Sequence, residues 1–261
     1  MVAKHLRTSD IAKELGVHVN SVRLYEASGF LPEIPRGKNG YRLYTRMHLE
    51  QARLVRMTLG GSYVGDKTLL VNLVERAANN DFGMAMELAY HYLARVRMER
   101  TYAESAVEFL ERWAAGHLVD SAQRKMHIGE AAEYLSVTVD MLRNWERNGL
   151  IDVPRDPTNG YRLYGTNEFG RLRVIRMLVK SGHSLMAILR MLRQFDSGQT
   201  DNLRDALELP REDSANEYIE FVADRWLSSL LEMEQRAQAI IQQIGKMIEM
   251  TYSSEAPVNE S

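Results

Sequence analysis

The chain has 261 residues, 45% of them apolar and 26% charged, the balance of a globular protein with room for one large or two modest domains. It has no cysteine, which excludes disulfides, thiolate metal sites and cysteine catalysis and suits a reducing, cytoplasmic setting. No apolar run approaches a membrane span, no leader-peptide pattern opens the chain, and the formal net charge is only −2.

That small total hides a strong segregation. Residues 1–60 carry +5 and residues 121–195 carry +5, whereas 61–120 carry −3 and 196–261 carry −9. Neutralising phosphate needs locally basic surface rather than a basic total, so nucleic acid remains a candidate partner for the two basic segments.

In chain order, Thr8 is a candidate cap for a short helix over 11–15, with Asp10 in its first turn and Gly16 ending it. His18-Val19-Asn20 opens a second helix that runs to about Ser28 and stops at Gly29. Two short helices joined by a glycine turn read as a helix-turn-helix, with Val22 facing the core and Arg23 facing out. Prolines 32 and 35 bound a short strand, Gly37-Lys38-Asn39-Gly40 is turn chemistry, and Tyr41 to Tyr44 alternate as a returning strand. This predicts a two-stranded wing. A helix over 46–59 and a short one from Asp66 follow.

Met86, Ala89, Leu93, Val96, Arg100, Ala103, Val107, Leu110 and Ala114 alternate at spacings of three and four, the seam of one long helix that ends near Gly116. The aromatic group Tyr90, His91, Tyr92 and Tyr102 on it is open to two readings, ordinary packing or a ligand pocket.

The next segment repeats the first. Asn39-Gly40-Tyr41-Arg42-Leu43-Tyr44 recurs as Asn159-Gly160-Tyr161-Arg162-Leu163-Tyr164, 120 residues later. At the same offset Leu15, Val17, Val19, Arg23, Glu26 and Gly29 meet Leu135, Val137, Val139, Arg143, Glu146 and Gly149, and Tyr25 meets Trp145. Arg53, Arg56 and Met57 meet Arg173, Arg176 and Met177. In between, the register slips by one, so that Pro35-Arg36 matches Pro154-Arg155, as suits a hairpin loop. The second module thus has a helix from His127, a turn at Leu135 to Thr138, a second helix capped by Thr138, a wing over 150–164, and helices near 167–180 and 184–195.

Residues 196–214 read as a polar, acidic loop with a short helix. A second seam then runs through Ala223, Trp226, Leu230, Met233, Ala237, Ile240, Ile244, Met247 and Thr251, and 253–261 read as disordered. Each seam spans a helix of roughly 42 Å. The expected fold is therefore mainly α: two winged helix-turn-helix modules with small two-stranded wings (1–67 and 121–195), a helical connector (68–120) and a C-terminal region (196–261), each module being followed by a long coiled-coil-type helix.

Val22-Arg23-Leu24-Tyr25-Glu26, Gly29-Phe30-Leu31, Arg36 and Gly40-Tyr41-Arg42-Leu43-Tyr44, in this order around helix, turn and helix, resemble the MerR family of bacterial transcriptional regulators. The second module resembles it too. Leu24 and Asn144 depart from the aromatic usual in the family at that position. The resemblance implies binding of double-stranded promoter DNA, phosphate contacts from Arg23 and Arg143, and distortion of the promoter so that RNA polymerase engages both of its elements. It also implies that each long helix pairs antiparallel with a twin. Here the twins either lie in one chain, as a pseudo-dimer, or pair between two chains in a homodimer.

A recognition helix enters the major groove by its N-terminal residues, with paired modules about one turn, ~34 Å, apart or a multiple of it. That makes His18, Val19, Asn20 and Ser21 the candidate base-readers of one module and Thr138, Val139, Asp140 and Met141 those of the other. Asp140 has a second reading, as a first-turn acid serving its own helix. Arg36, Tyr41, Arg42, Arg155, Tyr161 and Arg162 are candidates to clamp the backbone from the wings, and Tyr25, Lys38 and Trp145 complete the set. For Arg42 and Arg162 the alternative is an ion pair with Glu26 and Glu146; for Tyr41 and Tyr161 it is packing on their own module. Because the two reading faces differ, unequal half-sites are expected.

Metal-sensing relatives use cysteines, drug-sensing relatives a separate C-terminal domain, and neither is evident here; no cofactor is expected. An effector would fall between the helices of 68–120 and 196–220. There is no phosphate loop, nucleophile-and-base pattern or histidine cluster at metal-ligand spacing, so an enzyme is not expected. The rival functions are an architectural, excisionase-like DNA-binding protein and an adaptor whose modules have lost DNA binding.

Overall fold

The structure, a computed structural model, describes residues 5–117, 124–208 and 225–255. The helices are α1 (Thr8–Leu15), α2 (Val19–Ala27), α3 (Arg46–Leu59), α4 (Thr68–Ala78), α5 (Phe82–Ala114), α6 (Ile128–Leu135), α7 (Val139–Arg147), α8 (Thr166–Lys180), α9 (Leu185–Asp196), α10 (Leu203–Glu208) and α11 (Trp226–Glu255). The chain divides into two compact units, Met1–Arg97 with Glu232–Ser261, and Met98–Leu231. Both long helices are thus shared between the units.

In the first unit, α1 begins at Thr8, so the cap falls one residue before the predicted one. Arg7 is the N-cap, and its N–H donates to the Asp10 carboxylate at 2.8 Å, so the acid three residues on serves the helix end that Thr8 was expected to serve. Gly16 ends the helix at φ +61°, the left-handed conformation that glycine adopts without steric cost. Ile11, Leu15, Val22, Leu31, Ile34, Tyr44 and Leu49 form the core of the helix-turn-helix. The other side of α3, with Leu54 and Val55, belongs to a second core made with Leu73, Val74 and Ala77 of α4, Phe82, Ala85 and Ala89 of α5, and Ile240, Ile244 and Met247 of α11. Tyr25 packs against both cores and joins them.

Between α3 and α11 lies a buried polar contact. Glu50 is only 3% exposed. Its carboxylate accepts from Lys246 Nζ at 2.9 Å, Gln243 Nε2 at 2.8 Å and Arg53 at 3.1 Å. Burial alone raises a carboxyl pKa, but these donors outweigh it and hold Glu50 below the ordinary carboxylate range. Farther along, Arg97 Nε meets Glu234 at 2.7 Å. Rising numbers along α5 therefore meet falling numbers along α11, and these parts of the two helices run antiparallel.

In the second unit, Leu135, Leu142, Trp145, Leu150, Tyr164, Phe169, Leu172, Ile175, Leu178, Ile188 and Leu192 are buried. α8 carries Gly170 mid-helix, where glycine costs roughly 0.5–1 kcal/mol relative to alanine. The reason is close approach: a Cβ there would stand 3.0 Å from Trp113 Nε1 at the end of α5, whose ring lies 4.3 Å from that of Phe195 on α9. Trp226 donates to the Ser181 carbonyl at 2.6 Å and lies over Gly182. Glu208 accepts from the Leu227 and Ser228 N–H groups at 3.0 and 3.1 Å, which satisfies donors at the start of α11.

Two expectations need correction. The wings are not two-stranded ladders: each is a hairpin-like turn closed by one isolated bridge, Arg36 to Arg42 and Arg155 to Arg162. Pro35 and Pro154 have no N–H to extend a ladder; their carbonyls instead accept from Leu43 and Leu163 at 2.8 and 2.9 Å. Residues 253–255 continue α11 rather than being disordered, while 256–261 and Ala223 of the second seam lie outside the described residues.

Candidate nucleic-acid interface

Each module presents the same polar face. His18 is the N-cap of α2, and its Nδ1 accepts from the Asn20 N–H at 3.2 Å. Thr138 holds the same place on α7, its Oγ1 accepting from the Met141 N–H at 3.1 Å. One turn in, Arg23 donates to Asn20 at 3.4 Å and Arg143 to Asp140 at 3.4 Å. His18, Asn20, Arg23, Thr138, Asp140 and Arg143 are all exposed, whereas Val19, Ser21, Val139 and Met141 are half-buried.

The hairpin tips stand beside these helices. Arg42 Nε donates to Glu26 of α2 at 2.5 Å and Arg162 Nε to Glu146 of α7 at 2.6 Å, so each wing is fastened to the second helix of its own module. Arg36 donates to the Gly40 carbonyl at 3.3 Å and Arg155 to the Gly160 carbonyl at 3.2 Å, bracing the turns from within. Tyr41 and Tyr161 are 67% and 66% exposed. The one-residue slip in the repeat has its place here: five residues separate the bridged Arg36 and Arg42, and six separate Arg155 and Arg162. The longer turn is held by the Asp156 carboxylate, which accepts from the Thr158 N–H at 2.8 Å. That bond draws the Asp156 pKa down.

Under the tips, Tyr44 and Tyr164 are buried. Burial, with Glu146 nearby, pushes the Tyr164 phenol up to about 12. Arg176 donates to the Leu135 carbonyl at the end of α6, and Arg56 reaches the same point under Gly16, which explains the downstream part of the repeat.

Residues 126–194 match the family described as MerR HTH family regulatory protein, and residues 7–44 match the family described as MerR family regulatory protein. Both modules belong to the MerR family. Among similar proteins, the nodulation protein NolA of Bradyrhizobium diazoefficiens is 36% identical over 86 residues, covering 33% of this chain and 36% of that protein. The mercuric resistance operon regulatory protein of Bacillus cereus is 35% identical over 72 residues, covering 28% of this chain and 54% of the relative. The HTH-type transcriptional regulator CueR of Salmonella typhi is 39% identical over 51 residues, covering 20% and 37%. The chain thus spans between about a third and a half of the length of these relatives. No solved structure matches it.

Within the two MerR modules the candidate residues fall into three groups beside the half-buried Val19, Ser21, Val139 and Met141. His18, Asn20, Arg23, Arg36, Lys38, Tyr41, Thr138, Asp140, Arg143, Arg155 and Tyr161 are exposed. Arg42 and Arg162 are half-buried in the ion pairs already named as their alternative. Trp145, at 2% exposure, is a core residue of the second module, and Tyr25 lies half-buried between two cores of the first. Sequence reasoning marked Leu24 as a departure from the family's usual aromatic but left it out of the candidate set; it is 61% exposed on α2. It also passed over the Glu50 contact, whose only sequence signal is an acid within the apolar face of α3. No helix among the described residues is long and apolar enough to cross a membrane.

Proposed function

We propose that this chain is a MerR-type transcriptional regulator of bacterial, cytoplasmic setting that reads two unequal half-sites with its two modules and distorts the promoter between them. The observation that carries the proposal is the duplicated face: capped recognition helices with paired Asn20 and Arg23, or Asp140 and Arg143, each flanked by an exposed tyrosine at a hairpin tip. The duplication supports a common mode of docking. The differences support unlike sequences, since Asn pairs with adenine whereas Asp accepts from cytosine N4.

The helices favour one chain acting as a pseudo-dimer. The first module leans on α11, which follows the second module, through Glu50, Gln243 and Lys246. The second module leans on the end of α5, which follows the first, through Trp113. Such crossed support supplies within one chain what a homodimer would take from a twin.

A footprint on the DNA upstream of the chain's own gene tests this. Protection of one short site between promoter elements, with enhanced cleavage at its centre, is the expected result. Broad protection, as from an architectural protein, speaks against it.

A further inference from the structure

The second unit contains a cavity of about 760 Å³ that none of the DNA-facing residues uses. It is an open cleft, lined by the end of α5 (Trp113), the turn after α7 (Asp152), the start of α8 (Glu168, Arg171) and the end of α9 (Phe195, Asp196). The size is that of a small-molecule site.

Its chemistry is one-sided. Among the described residues, three carboxylates and one guanidinium line it. Arg171 is committed: it donates to both Asp196 oxygens at 2.6 and 2.8 Å and to the Leu150 carbonyl at 2.6 Å. Glu168 accepts from the Gly165 N–H at 2.7 Å. Asp152 is exposed and has no intrachain partner among the described residues. The half-buried Trp113, backed by Phe195, supplies an aromatic wall. A ring face beside uncompensated negative charge attracts a cation, and more strongly when water is displaced.

The first module is built differently at the matching place. The counterpart of Gly170 is Glu50, whose side chain fills the position and is gripped by Lys246 and Gln243. The missing side chain at 170 is what admits Trp113 against α8.

We propose that this cavity is a binding site for a small planar aromatic cation, held against Trp113 with Asp152 as its counter-ion. The site adjoins Gly149, which ends the recognition helix at φ +74°, so an occupant would touch the junction between that helix and its wing. The binding step itself does not depend on the DNA-binding reading.

The test is calorimetric titration of the full chain, without DNA, using 1-methylquinolinium and its neutral analogue quinoline at a pH where quinoline is uncharged. The expected result is one saturable site for the cation, with quinoline about tenfold weaker or worse. Asp152→Asn, a surface change that preserves the thermal unfolding of the protein, weakens the cation by about tenfold while leaving quinoline unchanged. Trp113→Leu weakens both. Equal binding of the two ligands, an Asp152→Asn variant that binds as tightly as the original chain, or no saturable heat with the cation would each overturn the proposal. Since no DNA is present, such a failure leaves the footprint result untouched, and a failed footprint leaves this one untouched.

Discussion

Glu26 holds Arg42 at 2.5 Å, with only 15% and 22% of their side chains exposed, and the pairing recurs in Glu146 and Arg162. A wing arginine therefore does two things at once: its Nε ties the hairpin to the recognition helix, and the arginine lies at the edge of the exposed face. The pair is sheltered enough to contribute to stability, unlike Arg53 with Glu14, where the acid is 57% exposed. In a double-mutant cycle of Glu26→Gln and Arg42→Gln, monitored by urea unfolding, the expected coupling is about 1–2 kcal/mol. The matching cycle on Glu14 and Arg53 is expected to give less than about 0.5 kcal/mol.

The recognition helices carry one residue that is all core and one that is all surface. Trp145→Ala is expected to destabilise by about 3–5 kcal/mol, through lost burial and the void left behind. Leu24→Ala is expected to stay within about 0.5 kcal/mol. Denaturant midpoints measure both, and a small effect at Trp145 would contradict its place in the core.

His183 is 4% exposed, its Nδ1 lying 3.1 Å from Ser181 Oγ. Burial lowers its pKa from 6.5 to about 4. Between these values the unfolded chain binds a proton that the folded chain does not. Stability from this group is therefore complete above pH 6.5, falls as pH drops toward 4, and levels off below. The interval corresponds to about 3 kcal/mol. His183→Leu should flatten that part of the curve of unfolding free energy against pH; an unchanged slope would show that the imidazole titrates normally.

Much of this fold was legible in advance, and the reasons are local. The repeat at Asn39 to Tyr44 and Asn159 to Tyr164, the caps at His18 and Thr138 and the glycine stops belong to short stretches whose geometry their own residues determine. What escaped depends on partners distant in sequence. Trp145 follows the half-buried Asn144 and reads as a contact residue, yet it is buried, as are Leu172 and Ile175 of α8. Glu50 looks like a solvated acid, yet Gln243 and Lys246, almost two hundred residues away, make it a buried anchor. The wings fell short of ladders because proline removes the donors that alternation alone suggests.

Glu50 also has a signature in acid. With its pKa held below the ordinary range, it stabilises the fold above the unfolded-state pKa and loses that contribution as pH falls through its own lower value. Lys246→Met removes one of the groups that lower it. Acid unfolding of the variant, followed by circular dichroism, is expected at a higher pH than in the original chain. An identical acid limb would mean that the contact contributes nothing in solution.

The most direct measurement is selection of binding sites from a pool of random duplexes by the purified chain, with the number of chains per selected duplex determined by light scattering. One chain per duplex is expected, with two dissimilar half-sites about one turn of DNA apart or a multiple of it. Asp140→Asn is expected to change preference in one half-site only. Two chains on a perfect palindrome, or no enriched sequence, would contradict a single chain reading unequal half-sites.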